Sequence, residues 1–176
     1  MFLVCLVILM SWKGNISFME DILAPMDEIS IEFTGKNPFL ICTIAMKMLR
    51  DIMKISSSNL REDDIRWDIT GEPKGFYGQW RGKRTDDIWT DTLVIIIAQG
   101  SMDKERMGKV NIRMRGYLRT NFEYKNPISK NIWWMYNYLF YWKQRRAYLD
   151  FSRDNIMQIR QEILSAYNIL KEDRYA

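Results

Sequence analysis

At 176 residues the chain is long enough for one domain with a sizeable core, and its 47% hydrophobic and 14% aromatic content excludes disorder throughout. Its 26 basic and 22 acidic residues nearly cancel, which argues against a dedicated polyanion binder and leaves only local anion contacts open. Two cysteines, Cys5 and Cys42, exclude a thiolate zinc cluster and a disulfide framework, so the cytoplasm is the default expectation.

Residues 1–12 form an apolar run, shorter than the roughly 20 residues a spanning helix needs. No Lys or Arg precedes the run and no small-residue cleavage site follows it, so a signal peptide fits poorly. The first reading takes residues 1–18 as translated upstream sequence with Met19 as the start. The second takes the run as a hydrophobic anchor or signal, with membrane contact through residues 1–12. Residues 1–27 are therefore assigned to an N-terminal extension and residues 28–176 to a single α+β domain.

Alternation over 28–33 predicts a half-buried strand, and Thr34, Gly35 and Lys36 a turn. Asn37-Pro38 then predicts a helix opening, with Asn as cap and Pro in the first turn. Leu40, Ile41, Ile44, Ala45, Met48, Leu49, Ile52 and Met53 recur at three- and four-residue spacing, the pattern of an amphipathic helix. A meander follows. Ile65, Trp67 and Ile69 share one face of its first strand, residues 76–81 form a second, and 92–98 is apolar on both faces, as in a central strand covered on two sides. In the longest strand, over 110–124, Val110, Ile112, Met114, Leu118, Phe122 and Tyr124 share one face. Gly116 lies among them and marks a bend, a bulge or a close approach.

Asn126-Pro127 repeats the helix opening, and no glycine or proline interrupts the chain from there to about residue 171. A continuous helix of that extent measures about 65 Å, so it bends near 143–150 or projects, with residues after about 147 as a helical extension. The expected architecture is α+β: an antiparallel curved sheet packed by an N-terminal helix and a long aromatic-rich C-terminal helix.

Residues 132–142 read IWWMYNYLFYW, in which only Asn137 is plainly polar. A helix apolar all round must be enclosed on more than one side, by a closing sheet, a second subunit or a membrane surface. Met135, Trp142, Leu149, Ile156, Ile163 and Leu170 recur every seven residues, beside Arg146, Arg153 and Arg160. A second basic set, Arg81, Lys83, Arg113, Arg115 and Arg119, falls on the outer sheet face with Tyr117, where Asp68, Asp91 and Glu123 are placed to pair with it.

The chain has no histidine, and thus lacks the commonest general base and metal ligand. Gly71, Gly75, Gly78 and Gly82 do not form a dinucleotide-binding motif, and Gly82-Lys83-Arg84-Thr85 fails the P-loop pattern. Glu62-Asp63-Asp64 and Asp86-Asp87 lack the alternating spacing of a calcium loop. A noncatalytic role without metal or cofactor is expected.

The order strand, helix, antiparallel meander and long apolar C-terminal helix, with Gly116 in the last strand, resembles the helix-grip fold of START-like (SRPBCC) domains over about residues 28–147. The resemblance implies a sheet wrapped around the C-terminal helix and a cavity for lipids or other apolar molecules. The leading expectation is thus an apolar or lipid-like small molecule held between sheet and helix. Its candidate lining is Trp67, Trp80, Met114, Gly116, Phe122, Trp134, Tyr138 and Trp142. One alternative is a homodimer formed through the aromatic helix. Another is weak nucleic-acid binding by the basic sheet face, Arg81, Lys83, Arg113, Arg115 and Arg119; Arg146, Arg153 and Arg160 beside the helix seam are a solvated flank or a contact for phosphates or an acidic partner.

Overall fold

Period-two alternation is realised in one six-stranded antiparallel sheet in the computed structural model, which describes residues 13–167. Its strands are β1 (Gly14–Asp21), β2 (Ile29–Lys36), β3 (Leu60–Asp68), β4 (Lys74–Thr85), β5 (Thr90–Met102) and β6 (Met107–Tyr124). They run in the order β1-β6-β5-β4-β3. The 18-residue β6 is long enough to hold two partners end to end on one edge. β1 pairs along its C-terminal half, Gly14 opposite Tyr124, and β2 along its N-terminal half, Lys36 opposite Met107. The sheet thus begins earlier than the sequence suggests: part of the segment assigned to an N-terminal extension is β1, and Met19 lies within it.

The helices among the described residues pack on one face of the sheet. α1 (Leu40–Asp51) buries Ile41, Ala45 and Leu49 and turns Lys47 and Arg50 away. Its start differs from expectation. Asn37 adopts φ 59°, a left-handed conformation that asparagine tolerates, and the cap position falls to Phe39 without a side-chain bond. The capping comes from far away. The Tyr167 hydroxyl accepts from the Ile41 N–H at 3.0 Å and donates to the Pro38 carbonyl at 2.8 Å.

The second helical stretch comprises α2 (Pro127–Tyr136), a π turn over Asn137–Tyr141, and α3 (Trp142–Ala166). Asn126 opens it as expected, its Oδ1 accepting from the Ser129 N–H at 2.7 Å while the Asn126 N–H donates to Ser129 Oγ. The irregularity falls at 137–141 rather than at 143–150. The far end does not project. Ile156, Ile159, Ile163, Leu164 and Tyr167 belong to the core, so the stretch expected to extend beyond the domain is the part most deeply seated in it. No helix among the described residues is long and apolar enough to cross a membrane.

Between sheet and α3 the space is filled by side chains. Trp80 is fully buried and its indole lies across Gly78 on the same strand, while Val94, Ile96, Ile112, Met114 and Leu118 complete the floor. At Gly116 a Cβ would stand 2.5 Å from Ile156 Cδ1 and 3.3 Å from Ile22, so this glycine is where the helix comes down onto β6. On the opposite face Leu93, Ile95 and Ile97 of β5 are flanked by Arg81 and Lys83 on β4 and by Arg113, Arg115 and Tyr117 on β6. Long basic stems beside an apolar stripe shield it while their heads stay in water, in place of a second covering layer.

Candidate functional site

The aromatic run is held to the sheet by two of its residues. Trp133 stacks on Phe122 (4.9 Å between ring centroids, 18° between planes) and meets Trp89 edge-on at 6.4 Å. Eight residues on, Tyr141 packs against the half-buried Trp89 at 5.2 Å, and Trp133 and Tyr141 are both buried. Phe18 from β1 closes this second cluster beside Trp133. Eight residues exceed two turns of an α-helix, and the π turn between them takes up the surplus, so that both side chains face the sheet.

Tyr141 is also held by hydrogen bonds. Its hydroxyl donates to Asp87 Oδ2 at 2.7 Å and lies 2.6 Å from the Thr90 hydroxyl, which lies 2.8 Å from that of Thr120. Each hydroxyl carries one hydrogen, so the arrangement that satisfies all three passes donors from Thr120 to Thr90 to Tyr141 and ends on the Asp87 carboxylate. Burial, reinforced by the negative Asp87, pushes the Tyr141 phenol above its ordinary pKa. Asp87 also accepts from the Trp89 and Thr90 N–H groups, fixing the β4–β5 hairpin. Further along, Arg84 of β4 binds Asp86 at 2.7 Å and reaches Ser152 Oγ of α3 at 2.8 Å. Arg145 pairs with Glu20 of β1 at 2.5 Å and lies over the Phe18 ring. These bonds fix the rotation of the helix on the sheet, although Arg145 Nε and Trp133 Nε1 are buried without a hydrogen-bond partner.

The consequence is on the other side. With Trp133 and Tyr141 turned inward, the rest of the run faces out: Tyr138 is 79% exposed, Phe140 63%, Met135 59%, Trp142 50%, Leu139 48% and Trp134 46%. Ile128 and Ile132 extend this face toward the start of α2. The seven-residue row does not keep one environment. Met135 and Trp142 are exposed, Leu149 is half-buried, Ile156 and Ile163 are buried, and Leu170 lies outside the described residues. The π turn and the mismatch between 3.6 and 3.5 residues per turn rotate the row into the core.

The expected lining residues are dispersed. Trp80, Met114 and Gly116 belong to the main core and Phe122 to the second aromatic cluster. Trp67 is half-exposed on β3 beside Phe39 and Phe76. Trp134, Tyr138 and Trp142 stand on the outer side of the helix. These eight positions do not converge on one cavity. Open grooves lie elsewhere, one of about 600 Å³ across the outer sheet face past Lys109 and Arg113, another of about 350 Å³ between α1 and α3. The sequence pattern does not mark Trp89, and it shows Tyr141 only as one member of the apolar run and Asp87 only as half of an acidic turn, yet these three position the helix.

The basic residues are largely engaged. Arg81 pairs with Asp63 at 2.8 Å, Lys83 and Arg119 share Asp91, and Arg115 pairs with Glu28. Asp91 is the expected partner. Asp68 instead accepts from Thr70, and Asp63 comes from a β-bulge in β3. Arg113 borders the outer groove, Arg146 faces Asp150 at 3.5 Å, and Arg153 donates to the Ile22 and Ala24 carbonyls, while Arg160 is exposed. Arg61, Arg81, Lys83 and Arg119 line a polar groove of about 240 Å³. Cys42 is half-buried and its thiol is pushed up to about 12 by burial, so it stays protonated and unreactive. No group of three or more metal-ligating side chains occurs among the described residues.

No family model matches the chain, and no curated protein matches it. Among solved structures, a protein of unknown function from Staphylococcus aureus, SA2116, is similar at 12% identity over 90% of this chain and 98% of its own. The TM-score is 0.29, which is too loose a superposition to carry a conclusion on fold or function.

Proposed function

We propose that the chain is a noncatalytic binding domain for an apolar partner, and that the docking surface is the outer face of α2 and the π turn rather than a space beneath the helix. The observation that supports this is the exposure of Trp134, Met135, Tyr138, Leu139, Phe140 and Trp142 on one short stretch whose rotation is fixed by buried bonds. Contiguous apolar surface of this kind on a folded domain marks an interaction site. The START-like relation enters this reading only through the order of elements. A small molecule between sheet and helix is less favoured, because Trp80, Met114 and Ile156 fill that region.

The test is the binding of anilinonaphthalene sulfonate, an apolar fluorescent probe, to the full chain and to Leu139→Asp and Phe140→Glu. The reading predicts bound-probe fluorescence that both substitutions abolish without lowering the melting temperature. Probe binding that survives both substitutions overturns it. An adduct of a few hundred daltons seen in native mass spectrometry, and retained by both variants, restores the interior site.

A further inference from the structure

We infer that the partner of this aromatic face is the interfacial zone of an anionic lipid bilayer, an inference that rests on the reading of the face as a docking surface. The shape of the face is the first argument. Ile128, Ile132, Met135 and Leu139 follow one another at four- and three-residue steps along one side of the helix, and all are exposed, as is Trp142 just after the π turn. Tyr138 and Trp134 stand beside them, side chains with an apolar body and a polar tip suited to the headgroup level. The stretch Pro127 to Trp142 is about 24 Å long, too short to span and suited to lying in the plane of the interface.

Charge selects the partner. Residues 125–149 contain Lys125, Lys130, Lys143, Arg145 and Arg146 and no acidic residue. Arg145 is taken by Glu20 and Arg146 faces Asp150, which leaves Lys125 and Lys130 around the start of the apolar face and Lys143 at its end. A second copy laid on this face brings Lys130 against Lys130 in a parallel arrangement, or against Lys143 in an antiparallel one, with no acid in the stretch to offset them. An anionic lipid surface complements both ends at once. A further exposed apolar residue lies at the hairpin beside the helix. Trp89 packs on Tyr136 and Tyr141, and the adjacent Ile88 at the hairpin tip is 84% exposed.

The experiment is co-flotation of the full chain with phosphatidylcholine vesicles, with and without about a third phosphatidylglycerol. Partition onto the mixed vesicles is expected to exceed that onto neutral ones by about tenfold or more and to fall with added salt. Lys130→Gln and Lys143→Gln are each expected to weaken it about fivefold. Leu139→Asp is expected to weaken it at least about tenfold, all three variants melting at the wild-type temperature. Equal partition onto both vesicle types overturns the anionic assignment. Partition that survives Leu139→Asp and Lys143→Gln also overturns the inference, because residues 1–12 or another surface then make the contact. Absence of vesicle binding, with a dimer in sedimentation that Leu139→Asp dissociates, overturns the lipid partner and keeps the docking face. A monomer that binds neither vesicles nor the fluorescent probe overturns both.

Discussion

Replacing Gly116 by Ala probes whether α3 rests directly on β6. The new Cβ would lie 2.5 Å from Ile156 Cδ1 and 3.3 Å from Ile22, against the roughly 3.5–4.0 Å at which carbons make favourable contact. Ile156 and Ile22 are fully buried, so neither can swing into solvent. Overpacking of this kind costs about 1–3 kcal/mol, and relief of the glycine's strand penalty returns about 0.5–1 kcal/mol. The net expectation is a loss of about 1–2 kcal/mol, or a few degrees in melting temperature. Ile156→Val deletes the clashing Cδ1 and by itself costs about 0.5–1.5 kcal/mol. In that background Gly116→Ala should be neutral or stabilising. Urea unfolding of the wild type, both single variants and the double variant therefore should give a coupling of about 1–2 kcal/mol. If Gly116→Ala alone is tolerated and the two substitutions add, the helix does not sit on Gly116 and open space lies beneath it. The interior ligand site would then return.

Tyr167→Phe removes the hydroxyl that serves both the Ile41 N–H and the Pro38 carbonyl, and is expected to cost about 1–3 kcal/mol in urea unfolding. The same phenol is pushed up to about 12 by burial, and those of Tyr141 and Tyr148 are raised as well. Their protonated forms are favoured by folding, so stability should hold below about pH 10 and fall as pH rises toward 12, a slope that Tyr167→Phe should reduce. Asn126→Ala removes the capping box and should cost about 1 kcal/mol, with faster amide exchange over the first turn of α2.

Alternation carried most of the sheet. Val110, Ile112, Met114 and Leu118 all face the core as their spacing implies, and Asn126-Pro127 opens a helix because the cap and its Ser129 partner are neighbours in sequence. β1 escaped notice because its apolar members are few and its last residues are Glu20 and Asp21. The orientation of the aromatic helix was not legible for a physical reason: a run apolar on every side has no periodicity from which to read a face. What selects Trp133 and Tyr141 are Phe122, Trp89, Thr90 and Asp87, tens of residues distant in most cases. Without that choice, Trp134, Tyr138 and Trp142 look like lining for a cavity. The π turn carries no glycine or proline to announce it, and the cap on α1 comes from a tyrosine 126 residues away.

Hydroxyl-radical footprinting of the full chain, read residue by residue by mass spectrometry with and without anionic vesicles, tests the outward face most directly. The account predicts that Met135, Tyr138 and Trp142 are labelled rapidly in the free protein and protected on the vesicles, while buried Trp80 stays unlabelled in both. Labelling of Met135 and Tyr138 as slow as that of Trp80 in the free protein would contradict it, placing these side chains under cover within the chain or its oligomer.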